Sequence, residues 1–103
     1  MKSTIFAAAL AASFAVFSGL AEAGPIERAC MGSDRSKGNR QLCGCIQQAA
    51  NMTLSGGDQR RAAKFFKDPE AAHATWISQK KADDAFWERY KSFGRTAEAY
   101  CGG

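Results

Sequence analysis

Leu42-Cys43-Gly44-Cys45-Ile46-Gln47-Gln48-Ala49 carries two cysteines one residue apart in a stretch that reads as helix, and Cys30 and Cys101 flank it from either side. Side chains two residues apart on a helix point about 160° away from each other, so Cys43 and Cys45 cannot bond together without unwinding it. Each therefore needs a distant partner. Two pairings satisfy that requirement: Cys30–Cys43 with Cys45–Cys101, or Cys30–Cys45 with Cys43–Cys101. In both, the helix around residue 44 is tied forward and backward at once. Closing such loops contributes roughly 3 to 4 kcal/mol each in the chain-entropy account, comparable with the whole stability of a small domain.

A disulfide framework needs an oxidising compartment. The first residues supply the means of reaching one. Met1-Lys2-Ser3-Thr4 carries one charge, residues 5–17 are an uncharged run rich in Ala and Phe, and Ala21-Glu22-Ala23 is a small-x-small site before Gly24-Pro25. This is the layout of a secretory signal peptide, and the run is shorter than the roughly 20 residues that span a bilayer. The competing reading is a retained N-terminal anchor. We expect residues 1–23 to be a signal peptide and residues 24–103 one domain of 80 residues, periplasmic or secreted. A domain that small has a marginal core and gains most from cross-links.

The segments between the cysteines read as helices. Residues 25–31 allow one or two turns, with Pro25 early, where its missing N–H does no harm. Residues 32–39 are polar and Gly-bounded, a loop. A second helix over residues 40–54 shows an apolar stripe of Leu42, Cys45, Ile46, Ala49 and Thr53. Gly44 within it would let another backbone approach closely. Ser55 caps a third helix over residues 56–67, with Asp58 as the capping-box acid. That helix carries Ala62, Phe65 and Phe66 on one side, and Gln59, Arg60, Arg61 and Lys64 largely on the other. Asp68 and Pro69 start a fourth, reaching residue 78, with Ala72 and Trp76 inward and His73 at the boundary. Residues 79–83 form a polar hinge with Asp83 as the next cap. In the last helix, residues 84–100, Phe86, Tyr90, Phe93, Ala97 and Cys101 share a face. Packing this aromatic stripe on the stripe that holds Cys45 favours the Cys45–Cys101 pairing. The expected fold is all-α, a disulfide-linked bundle of four to five short helices.

No residue set announces chemistry. His73 is the only histidine, and no nucleophile can be paired with it. Asp83 and Asp84, adjacent at a helix start, serve its dipole better than acid–base work. Cys43-Gly44-Cys45 has a redox reading, thiol–disulfide exchange after local unwinding, but there is no Cys-x-x-Cys motif. A metal reading on Cys43, Cys45 and His73 matches no zinc spacing. No catalytic, cofactor or metal residues are therefore expected. The excess of Lys and Arg over Asp and Glu is 14 to 10, a net +4. Lys2 and Glu22 cancel within the signal peptide, so the processed chain keeps that charge. Its basic residues are interspersed with acids, which suits an anionic surface but not nucleic acid. Arg60, Arg61, Lys64 and Lys67 form the densest basic face, the candidate for an anionic envelope component or an acidic protein.

Several stretches together resemble a group of small exported alphaproteobacterial proteins that carry the label "arginine transporter". They are Leu42-Cys43-Gly44-Cys45-Ile46-Gln47, Leu54-Ser55, Asp58-Gln59-Arg60-Arg61-Ala62-Ala63, Phe65-Phe66, Asp68-Pro69, Phe86-Trp87-Glu88-Arg89-Tyr90, Phe93 and Cys101. The likeness covers most of the processed chain and is loosest over residues 77–82. It implies an accessory component that binds or helps move a basic amino acid, and it names no binding residues. A chain without a spanning segment cannot itself conduct a solute. Short helices this few also make a preformed pocket for a free amino acid difficult to build. The residues themselves point instead to a non-enzymatic binding or structural module acting through its surface.

Overall fold

The computed structural model describes residues 23–34 and 39–102, and contains five helices among them: α1 Pro25–Met31, α2 Arg40–Thr53, α3 Gly56–Lys67, α4 Pro69–Ile77 and α5 Lys81–Cys101. All but the last residue of the expected signal peptide lie outside the described residues. The first four helices each start for a local reason. Pro25 sits in the first turn of α1, the Asn39 carboxamide accepts from the Leu42 N–H to cap α2, and the Ser55 hydroxyl accepts from the Asp58 N–H to cap α3. Asp68 closes α3 and opens α4: its N–H donates to the Lys64 carbonyl while its carboxylate accepts from the Glu70 N–H. Gly102 ends α5 at φ 84°, a left-handed residue that glycine adopts without cost.

Packing runs in a cycle, α1 on α2, α2 on α5, α5 on α4, α4 on α3 and α3 on α1. Inside it lie Ile26, Ala49, Ala50, Leu54, Ala62, Phe65, Phe86 and Phe93. The disulfides are Cys30–Cys43 and Cys45–Cys101, with Cα separations of 5.6 and 5.8 Å. They explain why α2 does not have the single apolar stripe expected of it. Its buried residues are Cys43, Gln47, Ala49 and Ala50, while Leu42, Cys45, Ile46 and Thr53 are half-buried. The helix is covered from both sides, with Cys43 turned to α1 and Cys45 turned to α5, so its buried surface wraps around it.

Three further expectations are corrected. Nothing approaches Gly44: a Cβ there would meet no atom within 4 Å. The close glycine is Gly24, where a Cβ would fall 2.5 Å from the Gln47 side chain. The last helix begins at Lys81, with Lys80 rather than Asp83 in the capping position. Asp83 lies inside the first turn, where its carboxylate accepts from the Ser78 hydroxyl at 2.6 Å and from Arg61 at 2.8 Å. Finally, Thr75 rather than Trp76 is the buried residue of α4; its hydroxyl donates to the Ala71 carbonyl at 2.9 Å. Trp76 stands one residue further round the helix and is 59 % exposed.

Candidate functional site

On α3, Arg60, Lys64 and Lys67 follow one another at four and three residues, so their side chains rise from one stripe. All three are exposed. α1 crosses beside them and adds Arg28, so that four cations border a groove of about 300 Å³. Its floor is small and apolar: Pro25, Ala29 and Ala63. Among the described residues no carboxylate lines it. Such a groove attracts negative charge over a distance set by salt screening and offers short side chains for close approach.

The fourth residue of the expected basic face lies elsewhere. Arg61 turns toward α4 and α5, donating to Asp83 at 2.8 Å and to the Thr75 hydroxyl at 3.4 Å. Its guanidinium lies 4.4 Å from the centre of the Phe86 ring. Two hydrogen bonds and a cation–π contact hold it as a tie between three helices. The Ser78 hydroxyl, and after it Arg61, hold the Asp83 carboxyl below the ordinary Asp value of 3.8. A second tie is bidentate, Arg89 to Asp58 at 2.6 and 3.2 Å. Here the hydrogen bonds to the Asp58 carboxylate raise the Arg89 pKa above its ordinary value.

A polar network missed by the sequence reading lies beneath the groove. Gln47 and Gln59 are both buried. Gln47 accepts from the Glu27 N–H at 2.9 Å and donates to Gln59 at 2.7 Å and Asn51 at 2.9 Å. Gln59 donates in turn to Asn51 and to the Leu54 carbonyl, each at 3.2 Å. Both amide groups thus use their two N–H donors, and the network joins α1, α2 and α3. It fixes the crossing from which Arg28 meets the α3 cations.

The remaining candidates separate. His73 is exposed, its ring edge-on to Trp76 at 5.6 Å. Cys43 and Cys45 are each bonded to a distant cysteine. Among the described residues no three His, Cys, Asp or Glu side chains come together as metal ligands, and no helix is long and apolar enough to cross a membrane. The helices do leave a concavity despite their small number. A recess of about 490 Å³ lies over Phe65, Phe66 and Tyr90, with Lys67 and Asp34 also in its lining. No protein-family profile matches the chain, nor does any curated protein or solved structure.

Proposed function

We propose that the protein is an exported, non-enzymatic binding module that holds an anionic component of the cell envelope in the groove between α1 and α3. The observation that carries this reading is the convergence of Arg28 with Arg60, Lys64 and Lys67 above an alanine and proline floor. The two disulfides suit an oxidising compartment, where such bonds persist. Processing also favours the groove. The Arg28 guanidinium donates to the Ala23 carbonyl. Cleavage after Ala23 separates that acceptor from the domain and leaves Arg28 to a ligand.

The test is retention of the processed, disulfide-intact chain on immobilised heparin, a soluble polyanion used here as probe. Retention should fall with rising salt, and Arg60→Ala with Lys64→Ala should elute at clearly lower salt. Arg61→Ala should lower the melting temperature and leave the elution position in place. Equal elution of the Arg60/Lys64 variant and the parent would remove the groove reading. A catalytic turnover abolished by one point substitution would remove the non-enzymatic one.

A further inference from the structure

The groove leaves unexplained the opposite kind of surface at the corner where α4 meets α5. α4 is apolar nearly all round. Ala71, Ala72 and Thr75 face the other helices, and yet Trp76 and Ile77 stand outward, each 59 % exposed. Lys80 and Lys81 follow within four residues, both exposed. The corner is not a loose loop. The Ser78 hydroxyl accepts from the Lys80 N–H at 3.1 Å and donates to Asp83, which Arg61 grips from α3. Asp83 is therefore turned inward to its own partners, and Asp84 is the exposed acid beside the lysines.

We infer that this corner docks on the surface of an anionic phospholipid bilayer, with Trp76 and Ile77 entering the headgroup region and Lys80 and Lys81 meeting lipid phosphates. Two features choose this occupant over a protein. The apolar contact is two side chains, far below the ~800 Å² per partner that a standard protein interface buries. The same pair is sufficient for an interface between water and lipid, where an indole finds apolar surroundings for its ring and polar ones for its N–H. The charge is complementary as well: lysines next to an apolar tip extend their stems along it and keep their ammonium groups at the phosphate level. With no described helix long and apolar enough to cross a membrane, the contact is peripheral. It is independent of the α1–α3 groove, because different helices and different cations make it.

The experiment is co-sedimentation of the disulfide-intact processed chain with vesicles of phosphatidylglycerol and phosphatidylethanolamine, and separately with phosphatidylcholine alone. We expect binding to the first and little to the second. Lys80→Ala with Lys81→Ala should weaken it about fivefold per lysine, and Trp76→Ser about tenfold. Arg60→Ala with Lys64→Ala should leave the Trp76 dependence intact, which separates this contact from the groove. The chain has two tryptophans. In a Trp87→Phe variant all indole emission comes from Trp76, and it should shift to the blue on adding anionic vesicles. Absence of sedimentation with anionic vesicles, or sedimentation unchanged in the Trp76 and lysine variants, overturns the inference. A dimer in solution that Trp76→Ser dissolves would assign the corner to a second copy of the chain and overturn it equally.

Discussion

Gln47 and Gln59 occupy positions where composition alone suggests solvent, and both are buried. Glutamine is a good helix former that is mostly found exposed, so nothing in its identity announces a buried network. The clue is positional. Gln47 lies four residues after Cys43 and three before Ala50, on the face that the Cys30–Cys43 bond turns toward α1. Arg61 teaches the converse: four cations within eight residues look like one face, but a helix turns by about 100° per residue and sends neighbours to different partners. The Arg61–Asp83 contact has a measurable pH signature. The Ser78 and Arg61 hydrogen bonds lower the Asp83 pKa in the folded chain. The folded state therefore takes up this proton less readily than the unfolded one. The stabilisation is fully present above the unfolded value and is lost as pH falls through the folded one. Urea midpoints measured from about pH 6 down to pH 2 should show Asp83→Asn less stable than the parent at the upper end, with the gap closing at the lower. A gap that stays constant across the range would mean that the carboxylate's charge contributes nothing.

At the scale of the element, the helices were legible wherever a cap or an amphipathic stripe marked them. Ser55, Asp68 and Pro69 act as their residue types predict, and α5 presents Phe86 and Phe93 to the core as its spacing requires. The start of α5 was not legible. Lys80 makes no side-chain cap, and Asp83, the residue that resembles one, is drawn away by Ser78 and Arg61. α4 misled for a different reason: a helix apolar nearly all round gives little phase, so the sequence does not say whether Thr75 or Trp76 faces inward. Gly44 makes the point experimentally. Two disulfides leaving one helix suggest crowding at the residue between them, but they leave in opposite directions and the space over Gly44 is open. Gly44→Ala should therefore remove only the entropic penalty of a mid-helix glycine, stabilising the chain by about 0.5 to 1 kcal/mol. The measurement is the urea midpoint at unchanged slope. A destabilised variant would show that something does press against this residue.

The whole molecule explains both why the cationic groove was half-legible and why the fold depends on sulfur. Arg60, Lys64 and Lys67 share a stripe that the sequence displays, whereas Arg28 reaches them from α1, with the whole of α2 between it and α3 in the chain, by a crossing that the Gln47–Gln59 network and the Cys30–Cys43 bond impose together. α1 has only seven residues. Isolated helices that short do not form in water, so its position rests on packing and on its cross-link. α5 is longer, but its end is joined to α2 across 56 residues of sequence by Cys45–Cys101. Loop closure of that length is worth about 4 kcal/mol, and the 13-residue closure of Cys30–Cys43 about 3. Their sum is comparable with the roughly 5 to 15 kcal/mol by which whole domains are stable. A cycle of five helices around eight buried apolar residues, four of them alanine or leucine, has little to replace it with. The reduced and alkylated chain should then lose its sharp thermal transition and the near-ultraviolet signal of the Phe65, Phe86 and Tyr90 cluster. It should keep part of its helical signal, because α5 carries its own amphipathic pattern. Breaking only the longer loop, with Cys45→Ser and Cys101→Ser, should lower stability more than Cys30→Ser with Cys43→Ser if unfolded-chain entropy dominates. The reverse order would place the larger contribution in the buried packing around Cys30 and Cys43, both fully inaccessible to solvent, and would make α1 rather than α5 the element on which the groove depends.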